Sequence, residues 1–211
     1  MRIIKFFIIL CISILPFNYI RIFFYNLFPH YKIDKESYIG WFSLIICENF
    51  KVSNCNIDKF NFIFVNNFDG KDSNINKMNK FFNINTININ QSKIGNKNKF
   101  IGEPKISSET KFYLGLKSKI SDNNYFDLTH DIEIYENCYL GSHIQIWTHG
   151  FNEKREIKTK NVFLKKGCVI KDACLISMGV TIGENAIAEI GSVITRDLDE
   201  NSFYYHELQK H

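Results

Sequence analysis

Residues 164–197 read LKKGCVIKDACLISMGVTIGENAIAEIGSVITRD, a stretch in which an aliphatic residue recurs at every sixth position. The recurring residues are Leu164, Ile170, Ile176, Ile182, Ala188 and Ile194, and four positions after most of them come Cys168, Cys174, Val180, Ala186 and Ser192. A period of six fits neither an amphipathic helix, which repeats about every 3.6 residues, nor an alternating strand. It is typical of a parallel β-helix, where three hexads form one triangular coil and each aliphatic packs on its equivalent in the next coil. We therefore predict an all-β fold, a parallel β-helix of hexapeptide repeats.

The same phase continues upstream with less regularity. Hexads recur at Ile134, Leu140 and Ile146, at Ile33, Ile39, Ile45, Ile57 and Ile63 with Lys51 as an imperfect slot, and weakly at Ile94, Phe100 and Ile106. Residues 64–93 are polar and irregular, so we expect an insertion there. Residues 150–161 read GFNEKREIKTKN, and we interpret them as a charged loop or a coil deformed around one. The competing fold, a sandwich of short strands, requires hairpin turns, yet Asp69-Gly70 is the only Asp-Gly or Asn-Gly pair.

The 211 residues suit one domain with appendages. We expect an apolar segment at 1–29, the β-helix at 30–197 and a short tail at 198–211. The tail is expected to pack on the last coil through Phe203, Tyr204 and Leu208. The net charge of +4, without a dense basic run, argues against nucleic-acid binding.

The six cysteines suggest buried thiols more than a disulfide framework. Cys138, Cys168 and Cys174 all occupy the small inward slot of a hexad, where cysteine behaves as a small hydrophobe. No zinc-ligand spacing such as Cys-x-x-Cys occurs, so we expect no metal.

The N-terminal residues 1–28 read MRIIKFFIILCISILPFNYIRIFFYNLF. The uncharged run at 6–20 is shorter than the roughly 20 residues that span a bilayer, and no signal-peptide cleavage site follows it. We predict a membrane-associating helix that bends at Pro16 and lies in the interface, with Lys5 and Arg21 reaching lipid phosphates. The alternatives are a true span and a helix packed on the end of the β-helix or on a partner subunit.

His149 is the candidate catalytic residue among six histidines, because Trp147-Thr148-His149 ends the regular hexads where the charged loop begins. A histidine between a rigid coil and a loop suits a general base, since imidazole exchanges protons near neutral pH. The alternative is a surface histidine at a coil corner. His143 precedes the inward slot of Ile144 and is therefore expected to point outward.

Two segments, IEIYENCYLGSHIQIWTHGF (132–151) and NVFLKKGCVIKDACLISMGVTIGENAIAEIGSVITRD (161–197), resemble the hexapeptide-repeat acyltransferases, which fold as left-handed β-helices. The branch that acetylates sugars of bacterial surface polysaccharides and lipopolysaccharide is most similar. It carries a Trp/Leu-Thr-His element, a loop and hexads like GVTIG and GSVIT here. The resemblance covers residues 130–197 well and 33–63 loosely.

This resemblance implies a homotrimer with active sites between subunits and acetyl-CoA along the prism edge. His149 would deprotonate an acceptor hydroxyl, which attacks the thioester directly. Some relatives carry a second histidine where this chain has Phe151; if that is their base, His149 only positions substrate. The implied CoA-binding residues are Ser177, Gly179, Gly183, Gly191, Thr195 and Arg196. The glycines are equally suited to corner turns, and Arg196 is equally consistent with a solvated surface charge.

On the acceptor side, the candidates for binding substrate are Trp147, Thr148 and His130. Trp147 would stack on a sugar ring or cap the core, and His130 would line the acceptor cleft or hydrogen-bond a loop.

The resulting hypothesis is an acyltransferase that moves an acetyl or short acyl group from acyl-CoA to a sugar hydroxyl of a cell-surface glycan or lipid-linked intermediate. The enzyme would touch the cytoplasmic face of the bacterial inner membrane through residues 1–29. One alternative is a metal-dependent hydratase like the γ-type carbonic anhydrases, which need three histidines that converge on zinc from adjacent subunits. His143 and His149 lie six residues apart and should fall on different faces. Another is a non-catalytic, membrane-tethered trimeric scaffold or binding module, since fold does not fix function.

Overall fold

The computed structural model describes residues 2–205, with side chains from residue 4 onward. Two helices open the chain, α1 (Arg2–Ser13) and α2 (Asn18–Asn26). The strands that follow are β1 (Tyr31–Ile33), β2 (Tyr38–Ile39), β3 (Leu44–Ser53), β4 (Asn56–Ile57), β5 (Phe62–Lys71), β6 (Asn74–Ile75), β7 (Lys80–Asn90), β8 (Lys93–Ile94), β9 (Lys99–Ile101), β10 (Lys111–Leu114), β11 (Lys119–Ile120), β12 (Tyr125–Asp127), β13 (Ile132–Ile134), β14 (Tyr139–Leu140), β15 (Gln145–Ile146), β16 (His149–Phe151), β17 (Ile157–Thr159), β18 (Val162–Leu164), β19 (Val169–Ile170), β20 (Leu175–Ile176), β21 (Thr181–Ile182), β22 (Ile187–Ala188), β23 (Val193–Ile194) and β24 (Phe203–Tyr204).

These strands form the three faces of a prism, because the chain turns a corner after each short strand and returns to the same face one coil later. Face 1 starts at β1 and continues through β10, β13, β18 and β21. Face 2 contains β2, β4, β6, β8, β11, β14, β19, β22 and β24. Face 3 contains β9, β12, β15, β20 and β23, and the long strands β3, β5 and β7 bend from face 3 into face 1. Pairing within each face is parallel, which confirms the predicted parallel β-helix.

Inward side chains stack in columns through the prism. All six aliphatics of the C-terminal hexads are fully buried, as predicted. In the middle coils of face 3 the slot is filled by phenylalanine. The rings of Phe81 and Phe100 lie 4.5 Å apart with planes 5° from parallel, and those of Phe100 and Phe126 lie 4.5 Å apart at 1°. This spacing is close to the separation of about 4.8 Å between neighbouring strands, so rings from successive coils lie flat on each other.

Asparagines fill the inner corner between faces 2 and 3. Asn61, Asn79, Asn98 and Asn124 are buried there, and each Oδ1 accepts an amide N–H from the next coil at 2.7 to 2.9 Å. Their Nδ2 groups donate to backbone carbonyls of that coil. Buried amides are tolerated here because both ends are hydrogen-bonded.

The structure differs from expectation in the first half of the chain. Residues 64–93 are not an insertion: β5 to β8 are regular members of the three faces. The pattern is hard to read in sequence because β5 and β7 bend around a corner with a register shift between Phe64 and Val65. Ile106 is 40% exposed in the loop after β9, so it is not an inward residue.

The helices α1 and α2 pack on the first coil, whose outer carbonyl oxygens have no preceding coil to pair with. Buried Arg21 donates from Nε to the carbonyl of Ile39 at 2.9 Å, and Tyr25 Oη donates to that of Ser43 at 3.0 Å. Lys5 Nζ donates to the carbonyl of Cys47 at 2.7 Å. The expectation that Lys5 and Arg21 reach lipid phosphates is therefore wrong, since both cations cap the end of the β-helix.

Between residues 2 and 205, no helix has the length and apolar content needed to cross a membrane. The outer side of α1 and α2 is nevertheless apolar. Its exposed large side chains are Ile4, Phe7, Ile8, Ile14, Phe17, Tyr19, Phe23, Phe24 and Leu27.

The tail returns to the prism. The backbone of Phe203 pairs with Ile187 in β22, and Tyr204 Oη donates to the carbonyl of Val193 at 3.0 Å. Tyr204 packs against the core as expected, but the Phe203 side chain is 57% exposed and does not pack on the last coil. Leu208 lies outside the described residues.

Phe100→Ala should lower the free energy of unfolding by about 3 to 5 kcal/mol, because it removes a fully buried ring that touches a ring on each side. Urea denaturation followed by circular dichroism measures this. Phe151→Ala is the control, since Phe151 is 67% exposed and should change stability little. Equal effects of the two substitutions would contradict the stacked core.

Candidate active site

The edge where face 3 turns into face 1, called edge 3–1 below, carries most of the candidate residues. It is built from five stacked segments, residues 102–110, 127–131, 147–161, 177–180 and 195–197. Most coils cross this edge in a short turn, but residues 149–159 project from it as the antiparallel hairpin β16–β17. The charged loop expected at 150–161 is this hairpin.

Asp127 is the buried centre of this edge, with 3% of its surface exposed. Its Oδ1 accepts from Thr129 Oγ1 at 2.6 Å and from the Thr129 amide at 3.2 Å. Its Oδ2 accepts from the amides of Thr148 at 2.8 Å and His149 at 3.1 Å. Three backbone amides and one hydroxyl therefore donate to the carboxylate, which is the environment of an ionised acid.

The pKa of Asp127 reflects two opposing influences. Burial alone would raise it, but the hydrogen bonds from Thr129, Thr148 and His149 outweigh burial and lower the pKa below its ordinary value. Asp127 is consequently a carboxylate at neutral pH.

The imidazole of His149 lies directly on this carboxylate, with Nδ1 2.7 Å from Asp127 Oδ2. Because the carboxylate can only accept, Nδ1 must carry the hydrogen. The neutral ring therefore presents an unprotonated Nε2, and 27% of the side chain is exposed. The rings of Trp147 and Phe151 meet His149 edge-on, with centroids 5.8 and 6.4 Å away.

The structure brings His130 and Thr148 next to this pair. Thr148 is fully buried; its Oγ1 donates to the carbonyl of Asp127 at 2.8 Å and accepts the His130 amide at 2.8 Å. Thr148 thus holds the backbone of two coils together and cannot touch a substrate, contrary to its expected role. His130 Nδ1 accepts the amide of Asp131 at 2.9 Å, which fixes its ring beside the edge.

Trp147 lies on the outside of face 3 and does not cap the core. Its ring is 5.2 Å from that of Tyr125 in the preceding coil. Its Nε1 donates to Gln145 Oε1 at 3.2 Å, which orients the indole.

Four of the six residues implied for CoA share edge 3–1 with His149. The strand register places Ser177 one coil beyond Trp147 and Thr195 one coil further, in a single outward column. Gly179 adopts a left-handed turn (φ +80°) against the side chain of Lys160. Arg196 follows Thr195 and is exposed.

The other two glycines lie at different corners. Gly183 follows β21 at the corner of faces 1 and 2, where a Cβ would lie 2.5 Å from the amide nitrogen of Glu200. Its lack of a side chain lets the next coil approach. Gly191 follows β22 at the corner of faces 2 and 3 (φ +73°). Neither glycine therefore lies on edge 3–1 with His149.

His143 is exposed at the corner of faces 2 and 3, as expected, and so lies on a different edge from His149. Within residues 2–205, no three histidine, cysteine or acidic side chains are grouped as metal ligands.

Asp127 was not among the site residues predicted from the sequence. A signal was present: the pair Thr-His occurs at 129–130 and again at 148–149, about one coil later. Such a repeat indicates two polar turns stacked at the same corner, and Asp127 lies two residues before the first pair.

No protein-family model matches the sequence, and no curated protein matches it either. Among solved structures, a hexapeptide-repeat acetyltransferase from Vibrio cholerae is similar at 21% identity, covering 44% of this chain and 56% of that one, with a TM-score of 0.42. Its complex with acetyl coenzyme A matches over 52% of this chain and 63% of that one, with a TM-score of 0.41. The chain therefore spans about 60% of that protein's length. The polysialic acid O-acetyltransferase OatWY is similar at 14% identity, covering 84% of this chain and 88% of that one, with a TM-score of 0.43.

The lowered pKa of Asp127 makes stability depend on pH. Its folded pKa lies below the unfolded value of about 3.9, so its contribution is fully present above that value and is lost as pH falls through the folded pKa. Asp127→Asn should therefore be less stable than wild type at pH 7, and the difference should shrink towards pH 2. Urea unfolding at a series of pH values measures it. A difference that is constant with pH would contradict an ionised, hydrogen-bonded Asp127.

Proposed function

We propose that this protein is an acyltransferase that moves an acetyl or short acyl group from acyl-CoA to a sugar hydroxyl, with His149 as the general base. The observation that carries the proposal is the contact of 2.7 Å between His149 Nδ1 and the buried carboxylate of Asp127. This contact leaves Nε2 as a proton acceptor at an exposed edge. Thr129 Oγ1, 3.3 Å from Nδ1, supports the same ring orientation.

The chemistry follows from that orientation. Nε2 takes the proton of the acceptor hydroxyl while the hydroxyl oxygen attacks the thioester carbonyl carbon. The resulting tetrahedral intermediate collapses by breaking the carbon–sulfur bond, and the imidazolium returns the proton to the departing thiolate. The products are the sugar ester and free CoA thiol. Asp127 stabilises the imidazolium in between, because its negative charge lies against Nδ1–H.

The donor would lie along edge 3–1 in the direction of increasing residue number. Ser177 and Thr195 stand outward in the same column as Trp147, and successive coils are about 4.8 Å apart. The path offers hydroxyls to the pantetheine amides and, at its end, Arg196 to the nucleotide phosphates. The half-buried indole of Trp147 and the ring of His130 would contact the acceptor sugar.

The same proposal includes a homotrimer. Edge 3–1 carries the Asp127–His149 pair at an open corner. A neighbouring subunit packed against this edge would turn the corner into a cleft that excludes water. In a trimer of prisms, each subunit can serve one such cleft.

His149→Ala should reduce turnover by at least about a hundredfold, the usual size of a general-base contribution. Thiol release from acetyl-CoA, with an extract of lipid-linked glycans as acceptor, measures it. His143→Ala is the matched control, because His143 is an exposed histidine at another edge. If His149→Ala retains wild-type turnover, His149 is not the base. If the wild type shows no acceptor-dependent thiol release, the non-catalytic scaffold replaces the transferase.

We further propose that the outer side of α1 and α2 contacts the cytoplasmic face of the bacterial inner membrane, where acyl-CoA is available. The two helices leave an apolar groove of about 500 Å³ between them, lined by Phe7, Ile8, Cys11, Ile12, Leu15, Phe24, Leu27 and Phe28. A large exposed apolar surface of this kind favours a lipid or protein contact. The acceptor would then be a membrane-bound, lipid-linked sugar.

Replacing Phe23 and Leu27 together by Gln should weaken binding to vesicles of phosphatidylethanolamine and phosphatidylglycerol by at least about tenfold, because the two side chains would lose their place in the acyl region. They are 61% and 64% exposed, so folding should be unaffected. Vesicle co-sedimentation measures the change. Phe203→Gln, at the opposite end and 57% exposed, is the control. Equal sedimentation of both variants would contradict the membrane contact.

A further inference from the structure

Two lysines stand directly in register on face 3, next to the candidate active site. Lys80 pairs with Lys99, and Lys99 pairs with Tyr125. Tyr125 in turn pairs with Gln145, the residue that orients Trp147. These four residues form one outward column, called the acceptor column below. It leads from the two lysines to the aromatic pair beside His149.

No contact among the described residues accounts for the placement of the two lysines. Both side chains are exposed, and neither ammonium group has a hydrogen-bond, ion-pair or aromatic partner among residues 2–205. Like charges directly opposite each other on neighbouring strands destabilise a sheet. An anion placed between the two ammonium groups would remove that repulsion.

The other end of the column suits a sugar. The rings of Tyr125 and Trp147 have centroids 5.2 Å apart with planes at 40°, and both are half-buried on the outer side of the face. Trp147 lies beside His149, and the centroids of their rings are 5.8 Å apart. Aromatic side chains with an exposed apolar side favour the flat, apolar side of a sugar ring.

We propose that the acceptor column binds an acidic glycan, with one sugar on Tyr125 and Trp147 and its anionic groups on Lys99 and Lys80. This inference rests on the proposed function and names its substrate class: a saccharide that carries a carboxylate or phosphate near the hydroxyl to be acylated. Lys99 is one coil and Lys80 two coils from Tyr125, or about 5 and 10 Å at the usual strand spacing. The anion therefore lies within one or two sugar units of the reacting hydroxyl.

Face 2 provides a matched control. Lys93 and Lys119 are also in direct register and exposed, but they lie on another face, where Lys119 continues to Tyr139. Changing this pair to glutamate alters the net charge by the same amount as changing Lys80 and Lys99.

The test is calorimetric titration of the full-length protein, without CoA, with three probes. These are a hexamer of galacturonic acid, maltohexaose as the neutral analogue, and UDP-N-acetylglucosamine, whose only anion is a pyrophosphate. We expect one anionic probe to bind at least about tenfold more tightly than maltohexaose, and the difference to fade in 0.5 M NaCl because exposed charges are screened. Preference for galacturonate or for the nucleotide sugar distinguishes a carboxylate from a phosphate.

K80E/K99E should abolish this preference, and K93E/K119E should keep it. Tyr125→Ser should weaken the binding of the anionic and the neutral hexamer by the same factor, since stacking on the ring does not depend on the charge of the sugar. Equal binding of acidic and neutral probes, no binding of any probe, or equal effects of the two lysine pairs would overturn the proposal. Thiol release from acetyl-CoA is recorded separately. Lysine-dependent binding without turnover would support the glycan site and contradict the transferase. Turnover that K80E/K99E leaves unchanged would support the transferase and contradict the glycan site.

Discussion

The stacking of inward side chains from coil to coil is the constraint on which the rest of this structure depends. A single coil cannot bury its own apolar side, so each inward residue must lie between equivalents above and below it. The Phe81, Phe100 and Phe126 rings, 4.5 Å apart and nearly parallel, are the clearest case. This stacking fixes the register of each face, and register decides which outward residues share a column. The alignment of Trp147, Ser177 and Thr195 is therefore a consequence of the core.

The candidate site arises where this regularity is interrupted. At edge 3–1 one coil buries the carboxylate of Asp127 and satisfies it in part through the hydroxyl and amide of Thr129. The next coil supplies the amides of Thr148 and His149 and the imidazole of His149. Burial of an unpaired carboxylate would be strongly unfavourable, so the three donors from the next coil also hold the two coils together. The coils thus fix the orientation of the His149 ring, and 27% of its side chain remains exposed at the start of the hairpin. Structure and proposed chemistry share the same hydrogen bonds.

The sequence predicted the C-terminal coils well, because aliphatic residues there recur at every sixth position with small residues between them. It predicted the middle coils poorly, since phenylalanine and asparagine occupy slots such as those of Phe81 and Asn79, and coil length changes at bends and loops. His149 was visible as the residue that ends the hexads. Asp127 was not, because its partners Thr148 and His149 come from another coil and only register brings them together. The role of Arg21 was also hidden, since nothing in the sequence shows that the first coil needs donors for its carbonyls.

The proposed role of His149 as general base is tested most directly by measuring which ring nitrogen of His149 carries the hydrogen. Long-range proton–nitrogen NMR spectra of ¹⁵N-histidine-labelled protein distinguish protonated from unprotonated ring nitrogens. The account predicts that neutral His149 carries its hydrogen on Nδ1, facing Asp127 Oδ2 at 2.7 Å, and has a bare Nε2. A ring that is protonated on Nε2 and bare on Nδ1 would contradict it, because such a ring could neither donate to Asp127 nor accept the proton of a hydroxyl at the exposed edge.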